Sequence, residues 1–245
     1  MTTKCLILGC SHANGSHMHL DPDAGYKHHN FVKQVEYGAK NSYPVLLAEM
    51  LGHYPLNYSI SGGSNDAMLR IGLEQINTLG SNDAIIACWT GMDRGELWHE
   101  EHQYWRHINF NHLNHQVVPN EFSKTGINIG LLVDRAQEYF DYAKQWLLFE
   151  GNYTRGYNNK LKNMLALNSI AHSRGIKLIN LDSFQAIWDF DWPDSVYRPQ
   201  KSVTDEFCSF AINNNFPHEP DGHFFRPAHL AYAEYIYSIM QDTTV

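Results

Sequence analysis

Lys4-Cys5-Leu6-Ile7-Leu8-Gly9-Cys10-Ser11-His12-Ala13-Asn14-Gly15 is the stretch whose reading decides the fold. Lys4 to Leu8 is short, apolar after its first residue and closed by glycine. That is the pattern of a central strand in a parallel sheet, buried on both faces. Ser11 follows at once, just past the strand's carboxyl end. In open α/β sheets ligands bind outside the carboxyl ends of the strands, so Ser11 is a candidate nucleophile by position. A serine hydroxyl is a weak nucleophile until a base takes its proton as it attacks. Asp221-Gly222-His223, shortly before the last long apolar-periodic segment, offers a candidate base with its own orienting carboxylate. Serine, histidine and carboxylate are the parts that acyl transfer by serine requires. The fold would have to join Ser11 to His223 across nearly the whole chain.

Outward from this stretch the chain alternates strands with helices. Tyr43 to Leu51 has helical spacing, with Asn41 or Ser42 as the cap and Gly52 as the stop. Leu56 to Ile60 reads as a second strand. Gly62-Gly63-Ser64-Asn65-Asp66 then turns into a helix over roughly Ala67 to Leu79. Asp83 to Thr90 is a third buried strand, ending in Gly91-Met92-Asp93-Arg94. Helices are expected over Leu131 to Glu150 and Asn158 to Ser173. Gly175 breaks the second of these, and Ile176 to Leu181 is the fourth strand. Pro227 to Met240 is the final helix, with proline in its first turn. This order implies a parallel α/β sheet with right-handed crossovers. Ser11, the Gly62-Gly63 turn and Asp93 each fall just past a strand's carboxyl end, so three chemically interesting loops share one sheet edge. Residues 94–129, rich in His, Asn, Trp and Tyr, read as an irregular insertion over the strand ends, within a single domain spanning 1–245.

Composition narrows the function. The chain has 245 residues, 43% hydrophobic and 18% charged, which suits one well-buried globular domain. A formal net charge of -8 argues against nucleic acid as a partner, because phosphate backbones want a basic face. No apolar run reaches the roughly eighteen residues of a membrane span. The apolar stretch Cys5 to Leu8 is too short for the core of a signal peptide, so a cytoplasmic location is expected and no membrane partner. Cys5, Cys10, Cys88 and Cys208 are widely scattered, and three lie in or beside strands. Buried free thiols fit that better than a disulfide framework or a metal site. Oligomeric state is not readable from the sequence.

In this pattern the chain resembles the SGNH (GDSL-like) hydrolases. The family's first block, Gly-Asp-Ser-x-x-x-Gly, is similar to Gly9-Cys10-Ser11-His12-Ala13-Asn14-Gly15, with cysteine in place of aspartate. The second block's glycine matches Gly63 in Ile60-Ser61-Gly62-Gly63-Ser64-Asn65. The third block, Gly-x-Asn-Asp, is matched in place by Gly91-Met92-Asp93-Arg94, which lacks the asparagine. The fifth block resembles Asp221-Gly222-His223, with His229 further on. The resemblance spans almost the whole chain in the family's order. It implies a flavodoxin-like α/β/α sandwich with a central parallel sheet, and hydrolysis of a small acyl ester. Ser11 would be the nucleophile, His223 the base and Asp221 the residue that orients it. Backbone N–H groups of Ser11 and Gly63 would bind the oxyanion. No cofactor is implied. Aromatic content and this resemblance suggest an O-acetyl group on a carbohydrate as one substrate.

Asp93 stands where the family has an oxyanion-binding asparagine. An ionised carboxylate would repel a developing oxyanion, so Asp93 is either protonated or turned away to pair with Arg94 or another cation. Asn65, at the same sheet edge, is then the candidate side-chain donor; the alternative is that it caps the following helix. The rival to an esterase is a non-catalytic binding or structural protein on the same fold, its site degenerate at Cys10 and Asp93.

Other motifs read less sharply. His12, His17 and His19 invite a metal, but no acidic or cysteine partner stands at a recognised zinc spacing, so solvated loop histidines are expected and no metal. His99-Glu100-Glu101-His102 has its histidines three apart, not the four of the zinc-protease helix. Trp98, Tyr104, Trp105 and Phe110 serve equally as a wall for a sugar or acyl group and as packing for the insertion. Gly62-Gly63-Ser64-Asn65 before a helix could cradle phosphate, but the chain has neither a Gly-x-x-x-x-Gly-Lys-Ser/Thr nor a Gly-x-Gly-x-x-Gly motif.

Overall fold

The first strand, β1 (Lys4–Gly9), lies inside a four-stranded parallel sheet of order β2-β1-β3-β6, with β2 at Tyr54–Asn57, β3 at Ala84–Trp89 and β6 at Lys177–Asp182. Register runs Cys5 opposite Ala84 and Ala84 opposite Lys177, all strands parallel. The structure is a computed structural model describing residues 2–21, 31–99, 104–108, 145–146, 153–184, 196–198, 206–220 and 222–242. Helices pack on both faces of the sheet, giving the α/β/α sandwich. Alternation along β1 explains the two layers. Cys5 and Ile7 join a cluster with Tyr43, Phe207, Tyr232 and Ile236, while Leu6 and Leu8 join one with Met68, Ile71, Met164 and Leu167. The first cluster is covered by α3 (Tyr43–Met50), α6 (Phe207–Asn213) and α7 (Arg226–Asp242), the second by α4 (Asn65–Gln75) and α5 (Tyr153–Ser173). A four-residue helix α1 (Ser11–Asn14) and the longer α2 (Phe31–Asn41) complete the amino-terminal part. No helix among the described residues is long and apolar enough to cross a membrane.

Differences from the sequence reading have local causes. The second strand begins and ends earlier than expected, at Tyr54–Asn57: the Tyr54 N–H already donates to the Thr3 carbonyl at 2.8 Å, and past its end the Asn57 side chain accepts the Ser59 N–H at 3.0 Å. Backbone bonds to β1 still continue from Tyr58 to Ile7 and from Ile60 to Gly9. Helix α5 starts at Tyr153, five residues before the expected Asn158. Gly156 lies inside the helix, where a Cβ would come within 2.1 Å of the Met92 carbonyl oxygen. Its role is close approach. Helix α6 was not expected at all. Within the anticipated insertion, β4 (Gly95–His99) and β5 (Tyr104–Ile108) form an antiparallel pair; 100–103 and 109–129 lie outside the described residues, as does most of the helix expected over 131–150.

Candidate functional site

Ser11 is the first residue of α1, immediately after β1, and Cys10 at the cap is extended. Ser11 is 5% exposed and His12 is 3% exposed. The one-turn helix ends at Gly15, whose φ of 68° is left-handed. A Cβ on Gly15 would lie 2.1 Å from the Gly38 carbonyl oxygen, and one on Gly38 equally close to that of Gly15. Only glycine at both positions lets α2 close over the Ser11 turn in this geometry.

His223 reaches the same place from the other end of the chain. Its ring stacks on His12 with centroids 5.0 Å apart and lies 4.6 Å from the ring of His17. A tight turn presents it: the Glu219 N–H donates to the His223 carbonyl at 2.9 Å, the Gly222 N–H to Glu219 at 2.9 Å, and Gly222 takes a φ of +85°. Its neighbour Phe224 bridges to His218. Asp221 lies outside the described residues. His229 has a different part. Fully buried, it accepts the Tyr43 N–H on Nδ1 at 3.1 Å and makes a hydrogen bond with the Phe224 backbone. Burial pushes its pKa down to about 3, so it is a neutral structural histidine that pins α7 to α3.

His12 departs from the solvated histidine expected of it. It sits edge-on to Phe184 at 4.9 Å and against Phe207 at 5.4 Å. Burial first, then the neighbouring His223, His229 and Arg94, holds its pKa well below the ordinary histidine value, so the ring is neutral. His17 is exposed, and His19 half-buried. Among the described residues no group of three or more His, Cys, Asp or Glu side chains is arranged to hold a metal ion.

At the neighbouring strand end the expected roles shift. Ser64, not Asn65, caps α4, its Oγ accepting the Ala67 N–H at 3.2 Å. The Asn65 amide is taken up by β3: Oδ1 accepts the Thr90 N–H at 3.0 Å, and Nδ2 faces the carbonyls of Gly91 at 3.2 Å and Thr90 at 3.4 Å. Asn65 thus ties the α4 turn to the β3 end, and this geometry does not serve the oxyanion-donor role read from sequence. The Gly63 N–H donates to the Ile60 carbonyl at 2.8 Å. Asp93 and Arg94 are half-buried, and no ion pair joins them. The Arg94 guanidinium instead lies over the Phe184 ring, 5.2 Å from its centroid.

One charged cluster escaped the sequence reading. Asp182, last in β6, has Lys160 Nζ at 2.7 Å on Oδ1 and Arg198 on Oδ2. Lys160, with no exposed surface, also donates to the Phe184 carbonyl at 3.1 Å. Two cations thus share one buried carboxylate, and Lys160 ties it to the segment that carries Phe184 under His12 and Arg94. The signal was a carboxylate closing an apolar run at the sheet's carboxyl edge.

No family model matches the sequence, and no curated protein does. Among solved structures, a chain provisionally described as a lipolytic protein of the G-D-S-L family, from Desulfitobacterium hafniense DCB-2, is similar over 97% of this chain and 99% of that one, with 11% identity and a TM-score of 0.35.

Proposed function

We propose that the protein is a serine hydrolase of the SGNH type, acting on a small acyl ester. The observation that carries this reading is the stacking of His223 on His12, the residue next to Ser11, at 5.0 Å. Ser11 attacks the ester carbonyl while His223 takes its proton; His223 returns that proton to the leaving alcohol. Water activated by the same histidine then releases the acyl group. Asp221 orients His223 in this scheme. The oxyanion falls to the Ser11 N–H, which as the first of its helix has no acceptor within it, and to the Gly63 N–H, which exchanges its bond to Ile60 for the oxyanion. The O-acetyl group of a carbohydrate is the substrate we would test first.

A fluorophosphonate probe and a panel of short aryl esters and acetylated sugars test the reading. The parent is expected to be labelled and to hydrolyse at least one ester. Ser11→Ala and His223→Ala are expected to lose both activities while melting like the parent, and Asp221→Ala to lose less than His223→Ala. An unlabelled parent inert to every ester would sink the proposal.

A non-catalytic binding protein is the second reading. What favours it is that the Asn65 amide and the Gly63 N–H are already bonded within the fold. The probe separates the two, since it marks an activated serine and ignores a relic.

A further inference from the structure

We propose that His12 and Arg94 form a subsite for an anionic group on the ligand that enters beside Ser11. Both side chains carry a buried nitrogen, His12 Nδ1 and Arg94 Nη1, with no hydrogen-bond partner. Buried donors left unpaired are costly and uncommon in folded proteins, so two in one cluster point to a group that completes them. Both pack on Phe184, His12 at its edge and the guanidinium over its ring. The charge of Arg94 is felt at His12.

The other ring nitrogen of His12 decides the chemistry. Nε2 lies 3.5 Å from the Cys208 sulfur. Burial, with Cys10 and Glu206 nearby, pushes the Cys208 thiol well above the ordinary cysteine range, so it stays S–H. Sulfur accepts poorly and an imidazole nitrogen accepts well, so the thiol donates to Nε2 and the ring's proton belongs on Nδ1. The orphan on His12 is therefore an N–H, like the orphan on Arg94. Two donors, one permanently charged, ask for an acceptor that bears negative charge. Asp93, adjacent in sequence, does not pair with Arg94 and so leaves it available.

Anion binding needs no turnover and stands apart from the hydrolase reading. Only its extension, that the substrate is an ester bearing a carboxylate or phosphate, rests on that reading. Calorimetric titration of the full chain with succinate, inorganic phosphate and the neutral isostere succinamide tests the subsite. At least one anion is expected to saturate one site, the stronger of the two naming the substituent, while succinamide gives no heat. Arg94→Gln is expected to weaken anion binding at least about tenfold, and Arg94→Lys to keep part of it. Arg174→Gln, which alters an exposed arginine bonded to Asn77, is expected to bind like the parent. In the imidazole nitrogen spectrum, His12 Nδ1 is expected to carry the proton and to shift on anion addition. The proposal is overturned if neither anion binds, if succinamide binds as well as succinate, if an Arg94→Gln protein with a parental melt binds like the parent, or if His12 is untouched at saturation. A parent that binds anion yet hydrolyses no ester would end the hydrolase reading and leave the subsite standing.

Discussion

On one face of the sheet Cys5, Ile7, Ile86 and Cys88 meet rings: Tyr43, Phe207, Phe224 and Tyr232. On the other, Leu6, Leu8, Ile85 and Trp89 meet the flexible chains of Met68, Ile71, Met164 and Leu167. The same strands feed both faces, yet the faces end differently. The aromatic face runs past the strand ends into the histidines, with Phe207 5.7 Å from Phe224 and 5.4 Å from His12. The aliphatic face closes on itself. Trp89 Nε1 donates to Asn180 at 2.8 Å, and Asn180 donates to Asn168 at 3.2 Å and to the Tyr197 carbonyl at 2.9 Å. Packing on the first face is also construction of the site; the second face reaches the site only through polar groups at its edge, Lys160 on the Phe184 carbonyl and Asn65 on the Thr90 N–H.

That contrast can be broken experimentally. Phe207→Ala is expected to cost about 3–5 kcal/mol and Leu167→Ala about 2–5 kcal/mol, since each leaves a cavity in a fully buried cluster. Denaturant melts read the cost, and the serine probe reads the site. Phe207→Ala should slow labelling out of proportion to its melt, whereas Leu167→Ala should not. The reverse pattern would erase the distinction between the faces. Lys160→Met is expected to cost about 1–3 kcal/mol, because Arg198 stays on Asp182 while Asp182 Oδ1 and the Phe184 carbonyl lose their donor. It should also loosen Phe184, visible as a weaker ring-current shift on His12.

A smaller effect separates the faces by pH. His229 belongs to the aromatic face and is neutral when folded, with its pKa lowered from 6.5 to about 3. The unfolded chain therefore binds a proton that the folded chain refuses between those values. This contribution is intact above pH 6.5 and is lost as pH falls toward 3, by up to about 1.4 kcal/mol per pH unit. Urea melts across this range should show the slope, and His229→Gln should flatten it; an unchanged slope would assign the acid sensitivity elsewhere. The smallest expected change is Tyr43→Phe, about 1 kcal/mol, for the 3.0 Å bond between the Tyr43 hydroxyl and Ser183. Labelling should be untouched.

Strands were the most legible part of the sequence, because a buried parallel strand is an apolar run bounded by turn residues. Lys4 to Leu8 and Asp83 to Thr90 could be read almost as they fold. The places of Ser11 and His223 were also legible, the one from Gly9 closing the first apolar run and the other from the Gly222 turn ahead of the last helix. What could not be read were pairings across the chain. Nothing local in Gly15 or Gly38 says that their backbones touch, so closure of α2 over the site was invisible. His12 read as a loop histidine because the rings that bury it, Phe184 and Phe207, arrive from distant segments. Asn65 was misjudged for the same reason: which groups an amide meets is settled by the neighbouring strand end, here Thr90, and not by the turn that carries it.

The stacking of His223 on His12 has a consequence in time. Ser11 is synthesised before three of the four described strands of the sheet, and His223 after all four. A chain interrupted anywhere in between carries the hydroxyl without its partner. On the proposed mechanism, every abandoned or truncated copy is inert, and the chemistry switches on only when synthesis has passed His223 and α7 has docked. Expression of graded truncations would show this as a step, not a ramp.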